Sequence, residues 1–327
     1  MAFRRRRPPV LFCLAILLYD KLSERRMLGR VGIVDLFQQL ANGLSLGSLY
    51  ALIAIGYTMV YGIIRLINFA HGDVMMVGCY LAYFGVLMFR LPWQISWILA
   101  VLLTSLLGVS IYIGAYKPLR RAPRISALIT AIGVSFFLES LGLVIFGGRP
   151  KAFPRPPAFD IGLNIGGVYL VSFTLWIPLI TAILLVGLVY LIYKTKIGMA
   201  MRSVATDIET TSLMGVDVDK VISFTFAIGS ALAAAGGIMW AIKFPQINPY
   251  MGIMPGLKAF IAAVFGGIGN IFGAMLGGFL LGMIEILVVA FMPSIAGYRD
   301  AIAFGILIVV LLFKPTGLLG EPLKEKV

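Results

Sequence analysis

Three side chains able to bind or hold a charge, Asn68, His71 and Asp73, fall in one short polar knot, Arg65 to Asp73, set between two apolar segments. His71 is the only histidine in the chain. A charged group placed near hydrocarbon costs roughly 2.5 to 3.5 kcal/mol on insertion scales, so these groups must be buried in protein, wet, or close to a bilayer surface. Two readings are open. The three could line or gate a pathway, or they could cap a helix break and hold neighbouring helices together. Tyr50, Tyr57 and Tyr61 form a helical stripe toward the same end of the preceding segment, which bundle packing explains equally well.

Other chemistry is missing from the pattern. There is no G-x-x-x-x-G-K-[ST], and the glycine cluster Gly266 to Gly278 holds no lysine to reach a phosphate, so no ATP-hydrolysing loop of that kind is expected. One histidine and two cysteines, Cys13 and Cys79, cannot assemble a zinc site of the usual spacing. No catalytic constellation stands out: Asp217 and Asp219 sit beside Lys220 rather than in paired aspartate motifs. The residues offer a pathway rather than a reaction, with neither metal nor cofactor of the chain's own.

The elements that would position the knot follow from composition. Hydrophobic residues make up 60% of 327 residues, with a mean hydropathy of +1.00, more apolar side chain than one soluble core can hide. Several apolar runs reach the roughly 20 residues that cross a bilayer as helix, and they do not alternate as barrel strands do. The expected class is all-α, a polytopic transmembrane bundle of eight or nine spans, some broken or re-entrant. The net charge of +13 gathers in short loops between the runs, the positive-inside pattern of a membrane protein rather than a nucleic-acid-binding one.

Along the chain, residues 1–36 form a basic extension. Arg4 to Arg7 and the apolar run Val10 to Tyr19 resemble a signal sequence without a cleavage site, so residues 1–26 are either an upstream extension or a short extra anchor. The remainder, 37–327, is one domain. Spans are expected at about Leu40 to Ile64, Val74 to Phe89, a third running from the interface marked by Leu91, Pro92, Trp93 and Trp97 to about Tyr116, then Ile125 to Phe146, which contains Glu139, Leu170 to Tyr193, and Val221 to Ile242. The segment Val74 to Phe89 is short unless it begins inside the knot. Met254 to Phe291 exceeds one helix and should break at Gly266 to Asn270, before a last span, Ala301 to Phe313. Gly43 and Gly47, and Gly269, Gly273 and Gly277, are spaced four apart, as close helix contacts require.

The loop Lys117 to Arg124 has four basic residues and no acid, which puts it in the cytoplasm; the proline-rich loop Gly147 to Tyr169 then lies outside. This forces the residues before Leu40 outside, against the bias of Arg25, Arg26 and Arg30, unless Val10 to Tyr19 crosses the membrane or an early segment is re-entrant. In the cytoplasmic stretch Lys194 to Lys220, Met199, Ala200, Ser203, Val204 and Ile208 recur at helical spacing while Arg202, Asp207 and Glu209 are polar. That pattern predicts a short amphipathic helix followed by Leu213, Met214 and Gly215. It would serve as a plug for a groove on a soluble motor, or simply as a solvated connector.

Three runs carry a family resemblance: NGLSLGSLYALIAIGYTMVYGIIRLINFAHGD, KIGMAMRSVATDIETTSLMGVDVDKVISFTFAIGSALAAAGGI and INPYMGIMPGLKAFIAAVFGGIGNIFGAMLGG. In this order they resemble the LivH-type permeases of branched-chain amino acid ABC importers, over about Phe37 to the C-terminus. The resemblance implies an inner-membrane, multi-pass subunit that works by alternating access beside a second, LivM-like permease, two cytoplasmic ATPases that bind the ATP, and a substrate-binding protein outside. It places an ATPase-coupling loop on Gly198 to Gly215, with Gly198, Arg202, Ala205, Leu213 and Gly215 as its residues. It carries the family's INFAHG motif onto Ile67 to Gly72. Beside it, the functional reading of the knot makes Tyr57, Asn68, His71 and Asp73 a candidate pathway, where broken helix ends would present backbone groups to a zwitterion. Related permeases carry urea or short amides; rivals of other classes are an ion-coupled secondary transporter and an intramembrane enzyme.

Overall fold

The polar knot interrupts the first long helix because two local signals coincide there. Helix α1, Ile33–Ile64, stops where Arg65 takes a left-handed backbone (φ +52°), and residues 65–70 run without helical structure. Helix α2, His71–Leu87, then starts inside the knot, three residues before the apolar run, and ends two residues earlier, so it stays a short helix of 17 residues. The computed structural model describes residues 33–120, 122–165 and 167–320. The basic run Arg4 to Arg7, Val10 to Tyr19, Cys13, Arg25, Arg26 and Arg30 lie outside the described residues, while Ile33 already opens α1, inside the stretch expected to be an extension.

Helices follow at α3, Trp93–Ile111; α4, Arg124–Phe146; α5, Phe173–Lys194; α6, Lys196–Thr206; α7, Ile208–Leu213; α8, Val218–Lys243; α9, Ile253–Gly266; α10, Ile271–Phe291; and α11, Arg299–Phe313. A π-helical turn, Tyr112–Tyr116, extends α3. Among the described residues seven helices are long and apolar enough to cross a membrane, and α2 and α9 are shorter apolar helices. The chain is therefore a polytopic helical membrane protein, with nine apolar segments if both short helices are included.

Helix α1 is the hub. It packs on α10 along most of its length and also meets α5, α8 and α9, while α4 and α11 are peripheral. Small residues permit this closeness: a Cβ on Gly47 would lie 2.8 Å from Phe279 Cα, and Gly43 faces Met283 in the same way. Helix α10 uses its two glycine rows on different partners. Gly273 and Gly277 press on α9 at Gly266 and Ala262, and Gly278 and Gly282 press on α1 at Ala51 and Gly47. Gly269 does not join them. It precedes α10 with φ +97° and its backbone lies against Gly62 of α1, so it is a turn residue touching α1 rather than a member of the α10 row.

The two ends of the bundle are marked by short-range pairing. At one end Asp219 of α8 meets Lys117 Nζ at 3.1 Å and Arg120 Nη1 at 2.9 Å, so the basic loop acquires in space the acid it lacks in sequence. At the other, β1, Lys151–Ala152, pairs antiparallel with β4, Gln246–Ile247, and a hairpin of β2, Gly162–Ile165, and β3, Val168–Val171, leads into α5. This hairpin moves the start of the fifth span from Leu170 to Phe173. Arg155 of the same loop donates to the carbonyls of Ile242 (2.6 Å) and Lys243 (3.1 Å), closing the end of α8. Helix α1 begins at this same end, where Val34 approaches Gly167 and Ser45 bonds Lys243 Nζ at 3.0 Å.

Candidate functional site

Two broken helices meet head to head at the knot. Helix α2 runs from His71 toward the end of the bundle where α1 begins, with Gly85 seated on Ser96. Helix α9 runs from Ile253 to the opposite end, where the carbonyls of Phe265 and Gly266 accept from Leu318 and Leu319. Their first turns touch: a Cβ on Gly256 would lie 3.0 Å from Gly72 Cα, and Gly72 and Gly252 leave no room for one another's side chains. Neither start has a side-chain cap, since Ala70 and Gly252 occupy the capping positions. Two helix N-termini, each equivalent to roughly half a positive charge, therefore converge inside the bundle. Non-helical backbone at this depth is stable only because it is enclosed in protein.

The structure brings Tyr57, His71 and Asp73 together and sets Asn68 beside them. His71 is wholly buried, its ring 4.4 Å from that of Tyr57 and pressed against Gly56, which also faces the Gly229 carbonyl. Among the described residues neither ring nitrogen completes a hydrogen bond of good geometry, although the Ile53 carbonyl lies close enough to act on it. Asp73 is 2% exposed; one carboxylate oxygen accepts from the Ser135 hydroxyl of α4, while Oδ1 has no hydrogen-bond partner among the described residues. Glu139, one turn beyond Ser135, is also buried and near enough to act on Asp73. Asn68 Oδ1 accepts from Tyr116 Oη at 3.1 Å, tying the knot to the end of α3. Tyr50 is elsewhere, so the tyrosine stripe divides between two sites.

His71→Ala is expected to lower stability by roughly 3 kcal/mol, as emptying a ring-sized space does, and to reduce transport with it. The denaturation midpoint in detergent and uptake at matched expression check this; wild-type values for both would remove any role for the ring.

Tyr50 belongs to a second cluster that the sequence did not disclose. Lys258 of α9, 5% exposed, places Nζ 2.8 Å from Glu285 Oε1 of α10 and 2.7 Å from Asp300 Oδ1 at the start of α11. The Asp300 contact is close as an ion pair but off the line of a hydrogen bond. Tyr50 Oη donates to Glu285 Oε2 at 2.8 Å, and Arg299 Nε stands 3.5 Å from Glu285. A lone lysine inside an apolar helix was the available signal, because buried ammonium groups are paired.

The stretch between α5 and α8 forms two helices, not one. Asp207 ends α6 and caps α7 by accepting from the N–H groups of Glu209 and Thr210 at 3.1 and 3.2 Å. The buried face of α6 is Gly198, Met201 and Val204, with Ala205 half-buried; Met199 and Ser203 are exposed, which corrects the expected apolar face. Gly198 packs on the Leu191 and Ile192 carbonyls of α5, so it fastens the loop to the bundle rather than facing outward. Arg202 is exposed, its guanidinium 5.3 Å from the centre of the Tyr193 ring. Leu213 and Met214 are 87% and 80% exposed at the tip, and Gly215 turns the chain with φ +82°. Asp217 then caps α8; the Lys220 backbone N–H, helped by its ammonium, holds that carboxyl below the usual carboxylate range.

Comparison with known proteins places this arrangement. Residues 39–311 match the family model described as branched-chain amino acid transport system, permease component. The chain is 44% identical over 308 residues to the high-affinity branched-chain amino acid transport system permease protein BraD of Pseudomonas aeruginosa, covering 90% of this chain and 99% of the relative. It is 42% identical over 305 residues to the corresponding LivH of Escherichia coli, with 89% and 97% covered. A probable LivH of Methanocaldococcus jannaschii is 29% identical over 294 residues, with 85% and 90% covered.

Proposed function

The chain belongs to the permease family of branched-chain amino acid transport systems, and from that premise we propose that it is the bilayer-spanning subunit of an ATP-driven importer of leucine, isoleucine and valine. In this reading the partner ATPases bind the ATP and the chain works as a transport subunit rather than an enzyme. Two cytoplasmic ATPases, a LivM-like second permease and a substrate-binding protein outside the bacterial inner membrane complete the assembly. The observation that carries the reading is the pair of broken helices α2 and α9, which meet at the buried knot of Tyr57, His71 and Asp73 while their far ends reach opposite faces of the bundle. Such a junction has two packings available to it, and a substrate that binds them unequally shifts the balance between them.

Coupling enters at the tip formed by Leu213 and Met214. Two large apolar side chains almost fully in water are where a partner groove gains most by covering them. Gly198 and the buried face of α6 then pass movement of the tip into α5 and α8.

The test is uptake of labelled leucine in cells lacking the chain, with and without restored expression, competed by isoleucine, valine, urea and short amides. Competition by isoleucine and valine alone is expected. Leucine uptake independent of the chain would refute the substrate, and competition by urea or amides would reassign it. In the same cells Leu213→Glu with Met214→Glu should cut uptake at least tenfold and lose the co-purifying ATPase at unchanged expression, a loss of about 1.4 kcal/mol or more in docking. Retention of both would move the coupling site elsewhere.

A further inference from the structure

The start of α9 has little of its own to hold it against α2. Gly252 occupies the capping position without a side-chain cap, and the residues that meet there, Gly72, Gly252 and Gly256, offer no side chain to interlock. Its place is set by the connection that leads into it from α8, residues 244–252. This stretch enters the bundle as it goes: Phe244, Pro245 and Gln246 are exposed, whereas Ile247, Pro249, Met251 and Gly252 are buried. Asn248 closes its second half into a turn, the side chain accepting from the Tyr250 N–H at 2.9 Å and the carbonyl from the Met251 N–H at 3.1 Å. Movement of Gly252 is therefore passed back to β4 rather than taken up between them.

One segment of the loop between α4 and α5 crosses this connection and is tied to it at successive residues. Strand β1, Lys151–Ala152, pairs with β4, Gln246–Ile247. The Phe153 N–H donates to the Pro245 carbonyl at 3.1 Å, and Arg155 Nε and Nη2 donate to the last two carbonyls of α8, those of Ile242 and Lys243. The same segment is anchored to the rest of the bundle. Lys151 Nζ lies 5.2 Å from the centre of the Phe84 ring of α2, and the Phe159 ring is within 6 Å of those of Trp93, Trp97 and Trp176. A ladder of two residues a side is marginal by itself, so it places the connection without fusing it to the loop.

We propose that Lys151 to Arg155 is a strap: it positions the connection, and through it the start of α9 against α2, and it parts from the connection when that junction opens in transport. The inference rests on the importer reading. Arg155 is the foremost positioning residue, since it holds the end of α8 from which the connection leaves.

Ala152 and Gln246 are directly opposed and both exposed, and facing Cβ atoms in an antiparallel pair lie about 4.5 to 5.5 Å apart, within reach of a short bifunctional thiol reagent. The full chain with its partner subunits is reconstituted in vesicles carrying Ala152→Cys and Gln246→Cys in a Cys13→Ser background. Leucine uptake should be normal before the two thiols are joined and at least tenfold lower afterwards, recovering when a cleavable bridge is reduced, with neither single cysteine responding. A staple that never opens would be indifferent to the bridge, so full uptake by completely joined protein would overturn the proposal. Amide exchange over residues 248–256 reads the junction directly. ATP turnover should speed it in the unbridged assembly and leave it unchanged in the bridged one; equal exchange in the two would also overturn the proposal. An unbridged assembly without leucine uptake, whose ATP-driven exchange the bridge still abolishes, would refute the leucine assignment and uphold the strap. Should the cysteine pair not accumulate, Arg155→Gln, which gives up both bonds to α8, should speed the same exchange several-fold at rest with the partners still bound, and unchanged exchange there would overturn the proposal.

Discussion

Gly282→Leu should leave almost no folded protein, whereas Gly187→Leu and Gly133→Leu should accumulate normally. Gly282 of α10 lies directly on the Gly47 backbone of α1, so even one methyl group there must push two helices apart. The helix displaced is the hub, since α1 also holds α5, α8 and α9. Forcing a large side chain against backbone rather than against a movable side-chain end puts the cost at about 3 kcal/mol or more, the upper part of the over-packing range. Gly187 and Gly133 meet nothing within 4 Å, and leucine there stays within about 0.5 kcal/mol of the parent. Fluorescence-detected gel filtration of solubilised membranes measures all three; Gly282→Leu running with the profile and yield of Gly187→Leu would show that the α1 and α10 contact does not limit folding.

The same contacts show what the sequence could disclose. Glycines four apart report a close approach when they lie within one helix, and Gly43, Gly47, Gly273 and Gly277 do. Gly269 keeps the spacing but precedes Asn270, whose side chain accepts from the Gly273 N–H and starts α10, so its approach to Gly62 of α1 is made by a turn and not by the helix row. The knot was legible because polar residues in an apolar run need a special place, and α2 does begin there. What it packs against was not legible: Gly252 and Gly256 lie far along the chain and look like ordinary turn and helix residues. Asp207 was readable as a cap, since an aspartate accepting the N–H groups two and three residues on competes with helix continuation, yet helical periodicity across it masked the break. The ion pairs of Lys258 escaped because a pattern signals that a buried lysine needs partners without saying which of the distant acids they are.

Lys258→Met should destabilise the protein by about 3 to 5 kcal/mol, because it removes one side of a buried pair and leaves the other. In the native cluster two cations, Lys258 and Arg299, face two anions, Glu285 and Asp300, and Tyr50 supplies the hydrogen bond to the remaining Glu285 oxygen. Without Lys258 the Glu285 carboxylate, 5% exposed, retains only Arg299 at 3.5 Å and Tyr50. Helix α11 should loosen most. It is the least enclosed of the long helices, and Asp300 is its charged tie to α9. Lys258→Met with Glu285→Gln removes the orphaned charge and should recover a large part of the loss, since residues in one ion network do not act additively. The comparison reads the difference between the single and double variants in denaturation midpoint and in protease cleavage of the stretch between α10 and α11. A double variant less stable than Lys258→Met by the full cost of Glu285→Gln alone would mean that the two side chains contribute independently, and that the cluster is not what holds α11 to the bundle.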